Sequence, residues 1–477
     1  MRQISPLLAA ASFSAILTAA MPNKAVAAVD RSQKPSPGPA PTASFPEFKD
    51  ITLPNGLRIF IIEDDRRPTV TMRLMVKSGS IFDGQKPGVA SLTATLLNRG
   101  TTSRDAAAFA TQTDFIGSRV EASAGPDAIS VTASSLNKYT AKLLELITDA
   151  VRNTVFADDQ LSKTRKQTLS KLEAQKQQPE ALASKLTAKL VYGSHPYGNF
   201  ATPESIAAIQ REDLIAFHKA HFHPNNATLA VVGDVSANDI LPLLKNAFEN
   251  WEKAEIPAQP APNFAKIEGR SVHIIDRAGS VQSNIVVTHP GAARNTPDLP
   301  EVLVLNATLG GGFSGRLFQN LRETHGWTYG AYSAFDLKKH GGAFEASAET
   351  RNEVTAPAAT EILKEIERIK KEPVPEEELA LQREYNVGNY LLSLEKSDRT
   401  AQRVQDIDLY GLPSDFYRNY ARRMSSVTPD LLQKTAQQHL HPESALIVVV
   451  GEAKEIRASL EPLGKVTIYN TDLQPAP

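Results

Sequence analysis

The chain has 477 residues, 41% hydrophobic and 22% charged, with 52 Lys+Arg against 53 Asp+Glu. A formal net charge of −1 excludes the basic excess that counterion-driven nucleic-acid binding needs, and it favours no anionic membrane surface. No cysteine is present, which excludes disulfides, thiol nucleophiles and thiolate metal ligands together.

The N-terminus opens with a short basic head, "MRQ", followed by the apolar run "ISPLLAAASFSAILTAAM" and a small-residue site at Ala25-Val26-Ala27. This order predicts a signal peptide over 1–27 and an exported protein, periplasmic or secreted. The run is interrupted by Pro6 and several serines, whereas a spanning helix needs ~20 predominantly apolar residues. A Pro- and Ser-rich leader follows over 28–44, and a second such stretch, 252–269, reads as a linker. Between and after them lie two segments of single-domain size, 45–251 and 270–472.

Within the first segment, "DITLPNGLRIFIIEDD" predicts two strands around an Asn55-Gly56 turn. "TVTMRLMVKSG" alternates as a further strand, and "RVEASAGPDAISVTASSL" reads as a hairpin across Gly125-Pro126-Asp127. "KYTAKLLELITDAVRN" places apolar residues at helical spacing. Helices of similar character are expected over 157–193, 355–371 and 376–397.

The two segments echo each other. Residues 221–234, "HFHPNNATLAVVGD", match 439–452, "HLHPESALIVVVGE", at a constant offset of 218. A fainter echo joins "LTATL" at 92–96 to "LNATL" at 305–309. The pattern predicts an internal duplication of one α+β unit, each copy a mostly antiparallel sheet with helices packed on one face.

The stretch 309–330, "LGGGFSGRLFQNLRETHGWTYG", carries the most chemistry. Gly310, Gly312 and Gly315 satisfy Gly-x-Gly-x-x-Gly by letter, but a dinucleotide site needs a strand before the glycines. "PEVLVLNATL" opens with Pro-Glu, a helix start. The glycines are therefore expected to link two helices. Ser314 is a candidate N-cap for "SGRLFQNLRETH", and Gly326 a left-handed terminator. Arg322 then falls in the last helical turn and Tyr329 in the strand that leaves it. Together they could present a guanidinium and a phenol hydroxyl, both donors, to a carbonyl oxygen. Gly310, Gly311 and Gly312 are read as a close-approach loop for a substrate backbone. His218, His221 and His223 offer an imaginable metal site, but His221 and His223 recur as His439 and His441 without a third histidine, so a helix-terminal role is preferred.

"SGRLFQNLRETHGWTYG", "LPNGLRIFIIEDDRRPTVTMRLMVKSGSIFD", "SHPYGNFATPESI" and both His-Pro…Val-Val-Gly segments together resemble the M16 (pitrilysin-like) metallopeptidase family over nearly all of the chain after the leader. The resemblance implies two homologous M16-type domains, and it places the family's Arg-x6-Tyr pair on Arg322 and Tyr329. It also exposes a loss. Catalytic members carry His-x-x-Glu-His in a Gly-x-Ala-His-Phe-x-Glu-His-x4-Gly-Thr frame. Here the frame is "GVASLTATLLNRGT": Gly88, Ala90, Gly100 and Thr101 match, while Ser91 and Thr95 replace the histidines and Ala94 replaces the glutamate. The third ligand position falls near Lys171, with Glu173 close by. A catalytic zinc needs three such ligands and an open position for water, so no metal is expected in this chain. The resemblance implies the zinc-free subunit of a heterodimer. A partner M16 subunit would hold the zinc, and unfolded peptides would be the substrates. Arg322 and Tyr329 would act as catalytic donors to the scissile carbonyl. The alternative is a non-enzymatic scaffold or peptide-binding relative.

Overall fold

The computed structural model describes residues 45–260, 264 and 266–476. The signal peptide read over 1–27 and the leader read over 28–44 lie outside the described residues.

Six strands build the first sheet: β1 (Lys49–Thr52), β2 (Arg58–Glu63), β3 (Thr69–Val76), β4 (Glu121–Ala124), β5 (Ile129–Leu136) and β6 (Ala227–Gly233). Their spatial order is β1-β2-β6-β3-β5-β4, antiparallel except for the β2–β6 pair. The β1–β2 hairpin turns at Gly56, whose φ of +92° suits glycine, and the Asn55 amide donates to the Phe248 and Trp251 carbonyls at 2.7 and 3.0 Å. The second sheet contains β7 (Ser271–Asp276), β8 (Gln282–Gly291), β9 (Ala331–Asp336), β10 (Gly342–Arg351), β11 (Leu446–Gly451) and β12 (Lys465–Tyr469). Its order is β12-β7-β11-β8-β10-β9. From the second position onward the two orders are the same. Only the first edge differs: β1 comes from the chain before its sheet and pairs antiparallel, while β12 comes from the chain after and pairs parallel.

The 218-residue offset is structural. It relates the helix Arg211–His221 to the helix Pro429–His439, and the short turn Pro224–Asn226 to Pro442–Ser444. The fainter echo also holds, because the helices Val89–Leu96 and Leu299–Leu309 occupy matching places after β3 and β8.

Strand sequences with few polar interruptions have a direct cause. Ile59 and Ile61 of β2 join the core formed with the first half's own helices, while Phe60 and Ile62 join the core shared with the second half. Alternate residues face opposite sides of a sheet, so both faces here are covered. The cover is exchanged between halves. The helix Ser397–Tyr410 of the second half packs on β3 and β6, and the helix Pro179–Tyr192 of the first half packs on β8 and β11. Each sheet thus carries its own helices on one face, as expected, and one helix of the other half on the opposite face. Gln405 fixes the first contact: fully buried, it donates to the Arg73 and Thr228 carbonyls at 2.9 and 3.0 Å and accepts from the Arg73 guanidinium.

The segment read as a linker runs without helix or strand among its described residues, yet it is bound to the fold. Asn225 donates to the Ala254 carbonyl at 2.7 Å, and the Phe264 ring meets those of Tyr192 and His195.

Candidate functional site

In the first half, the helix Val89–Leu96 carries the positions of the missing metal motif. Its start is built by Gly88, at φ +107°, and by Asp83, whose carboxylate accepts from the Gly88 and Ala90 N–H groups at 2.7 and 2.9 Å. Burial pushes the Asp83 carboxyl up to about 6, against the pull of those two donors. The residues that match the family frame all have structural work. A Cβ on Gly88 would lie 2.7 Å from Ile206 Cδ1, Ala90 is fully buried, Gly100 has φ +132°, and the Thr101 hydroxyl donates to Asp149 at 2.7 Å.

The residues that depart from it leave no ligand set. Ser91 and Thr95 are exposed and one turn apart, with the Thr95 hydroxyl donating to the Ser91 carbonyl at 2.8 Å. Ala94 is buried in the first half's core. Lys171 and Glu173 lie on the helix Asp158–Gln175, which packs against this one. Two hydroxyls and a methyl cannot replace two imidazoles and a carboxylate, so the residues present do not fit a catalytic zinc. The histidines are no substitute. His218 is bonded to the Val151 carbonyl at 2.7 Å, His221 lies between the Phe82 and Phe217 rings, and His223 is bonded to the Glu252 and Lys219 carbonyls. Among the described residues, no group of three His, Asp or Glu side chains could hold a metal ion.

In the second half, the helix Leu299–Leu309 precedes the glycines, as its Pro-Glu start predicts, so the dinucleotide match has no strand before it. The glycines pack closely. A Cβ on Gly310 would lie 2.6 Å from the Ser333 nitrogen, one on Gly311 2.8 Å from Ala307 Cα, and one on Gly312 2.8 Å from the Tyr385 hydroxyl. The loop is also tied by hydrogen bonds from the Gly310 and Gly311 N–H groups to Asn306, and from Tyr385 to the Gly311 carbonyl. Close backbone approach therefore accounts for glycine at Gly310 and Gly311, whereas at Gly312 the neighbour is the tip of the exposed Tyr385 side chain.

Beyond the loop, one α-turn at Arg316–Phe318 runs directly into a π-helical segment, Gln319–Thr324. Two local expectations need correction. The N-cap is Gly315 rather than Ser314, whose hydroxyl instead accepts from Gln382 at 3.2 Å. Tyr329 stands two residues before β9, not within it, and is 86% exposed. The rest follows the sequence pattern: Leu317, Phe318 and Leu321 are buried, and Gly326 ends the helix at φ +64°. Trp327 N–H reaches back to the Leu321 carbonyl at 3.0 Å and His325 N–H to the Asn320 carbonyl at 3.1 Å, spans set by the wide turn.

Arg322 and Tyr329 are brought together. The Arg322 guanidinium donates to the Tyr329 carbonyl, lies 5.3 Å over the Phe318 ring and is 3.4 Å from the Glu323 carboxylate. Around them the surface is aromatic. Phe313 is 70% exposed, and its ring meets those of Phe318 and Tyr332. Phe313, Tyr332 and Tyr385 were not singled out from the sequence, although Phe313 next to three glycines is a readable signal.

The two-fold repeat agrees with comparisons to known proteins. Residues 58–201 match the model described as insulinase (peptidase family M16), and residues 208–385 match the M16 inactive domain. The chain belongs to the M16 peptidase family. It lacks the zinc motif of the catalytic M16 members. An uncharacterized zinc protease of Mycobacterium leprae is 26% identical over 365 residues, covering 76% of this chain and 82% of that relative. One from Bacillus subtilis is 22% identical over 359 residues, covering 75% and 87%. Among solved M16 relatives, a peptidase M16 inactive domain from Pseudomonas fluorescens superposes with a TM-score of 0.79 at 27% identity, over 85% of this chain and 98% of its own. A protease from Helicobacter pylori shares the fold with a TM-score of 0.79 at 20% identity, over 85% and 99%.

Proposed function

We propose that this chain is the zinc-free half of a two-subunit, periplasmic M16 peptidase that hydrolyses unfolded peptides. The zinc would belong to the companion subunit, where it supplies the activated water. Arg322 and Tyr329 of this chain would donate hydrogen bonds to the scissile carbonyl as negative charge develops on its oxygen. One observation carries the reading: the two donors are tied together on an exposed surface of a chain whose own metal positions are filled by Ser91, Ala94 and Thr95. A guanidinium has five N–H groups, and the bond to the Tyr329 carbonyl leaves others for an incoming oxygen. The exposed rings of Phe313, Tyr332 and Tyr385 beside Gly310–Gly312 suit the apolar side chains of an extended segment, which a folded protein keeps inside.

The test is kinetic. In the complex purified with its companion, Arg322→Ala and Tyr329→Phe should each lower kcat by on the order of 10²-fold, with zinc content unchanged. The chain alone, supplied with zinc, should show no chelator-sensitive cleavage. Normal turnover in both variants would leave a scaffold role instead.

A further inference from the structure

The helix that presents Arg322 changes from an α-turn to a π-helical segment at Gln319, and Asn320 inside that segment is anchored. Asn320 Nδ2 donates to Glu365 at 2.8 Å and to Glu361 at 3.2 Å, both on the helix Thr355–Lys371. Four residues earlier, on the same side, Arg316 is held by Glu378 through two bonds of 2.7 and 2.9 Å. Leu317 and Leu321 hold the adjacent face in the core. Glu365 is 7% exposed, one of its oxygens and Asn320 Oδ1 have no hydrogen-bond partner, and its nearest cation, Arg368, is 3.7 Å away. The Glu365 carboxylate is thus held by Asn320 and flanked by the Arg368 and Arg316 charges, with hydrogen-bonding capacity left unused on both Glu365 and Asn320.

We propose that Asn320, clamped by Glu365 and Glu361, is the positioning residue for Arg322, and that the buried carboxylate is kept for this purpose. The inference rests on the catalytic role proposed for Arg322. The geometry gives the reason. An i→i+5 turn advances less per residue than an α-turn, so the residues after Asn320 emerge at a different angle from the helix axis. Pinning Asn320 on one side and Leu321 on the other fixes that angle. Arg322 then lies over the Phe318 ring and reaches the Tyr329 carbonyl. If the turn relaxed to α-helical form, the guanidinium would move away from this contact, and a misplacement of about 1 Å can cost on the order of 10²-fold in rate.

The test begins with the full-length chain. Its Arg322 guanidinium NMR signal, assigned by its loss in Arg322→Ala, should show slowed rotation and slowed exchange from the bond to Tyr329. Asn320→Ala and Glu365→Ala should abolish that protection, while Glu365→Gln, whose amide oxygen still accepts from Asn320, should retain it. In the complex, Asn320→Ala should lower kcat by up to ~10²-fold with little change in KM, and should add nothing in an Arg322→Ala background. Should Asn320→Ala not fold, Glu365→Ala carries the test with Asn320 in place. Protection and kcat that survive both alanine variants overturn the positioning role. Protection lost while neither Asn320→Ala nor Arg322→Ala alters kcat upholds the positioning and removes the catalytic reading of Arg322.

Discussion

Gly310 and Gly326 bracket the segment that presents Arg322, and they are glycine for different reasons. Gly310 is buried against β9, where an added Cβ would lie 2.6 Å from the Ser333 nitrogen. Gly326 is open, with nothing within 4 Å of its Cβ position, but its φ of +64° disfavours other residues. Gly310→Ala must therefore move backbone and should cost ~1–3 kcal/mol by overpacking, whereas Gly326→Ala should cost only ~1 kcal/mol for the left-handed conformation. Gly326→Asn should be tolerated better still. Urea unfolding of the three variants checks the order, and a Gly310→Ala protein as stable as the parent would mean that the loop yields freely. The distinction was not legible in the sequence, where the two glycines differ only in their neighbours. The close approach depends on Ser333 of β9, which lies beyond the helix and turn that follow the glycine.

Elements were the most legible level, because periodicity reports them directly. The β1–β2 hairpin at Asn55-Gly56, the Leu299–Leu309 helix with its Pro-Glu start and the termination at Gly326 all follow from local residues. The π-turn was not readable, since over six residues a wide turn and an α-turn bury the same Leu317 and Leu321. The Val89–Leu96 helix illustrates what the family frame preserves. Gly88, Ala90, Gly100 and Thr101 serve packing and turns, whereas the exposed Ser91 and Thr95 are free of both. Loss of metal chemistry at those two positions therefore cost the fold little. Two histidines one turn apart share a helix face, so Ser91→His with Thr95→His and Lys171→Glu should restore three ligands and retain zinc through dialysis, as metal analysis would measure. Ala94→Glu behaves differently, because position 94 is 1% exposed and packed in the core. Alone, it should destabilise the chain by more than the ~1–3 kcal/mol of overpacking, because an unpaired carboxyl group is buried as well. If the three-site variant took up no metal, the Asp158–Gln175 helix would not hold residue 171 within reach of the other two.

At the scale of the whole molecule, the repeat was legible but the exchange of helices was not, because a sequence reveals which face is apolar and not which half supplies the cover. The fold buries polar groups deeply, several histidines among them. Burial pushes His221, His273 and His289 each down to about 4, and it also lowers His195, His218 and His340. An unfolded chain takes up these protons near 6.5, so between about 6.5 and 4 it binds more of them than the fold does. The stability from these histidines is present above 6.5 and is lost as the pH falls toward 4, at up to ~1.4 kcal/mol per pH unit for each. Three acids oppose them. Burial raises Asp83 to about 6 and also raises Glu345 and Asp406, so the fold retains protons that the unfolded chain releases, and their contribution grows as the pH falls. Six histidines outweigh three carboxyls, and unfolding free energy should decline from pH 7 to pH 4.5. His273→Asn should flatten that decline, while Asp83→Asn should steepen it. Denaturant titrations at several pH values measure both slopes, and a stability that held level or rose on acidification would mean that the buried imidazoles reach water or a carboxylate partner in the folded protein.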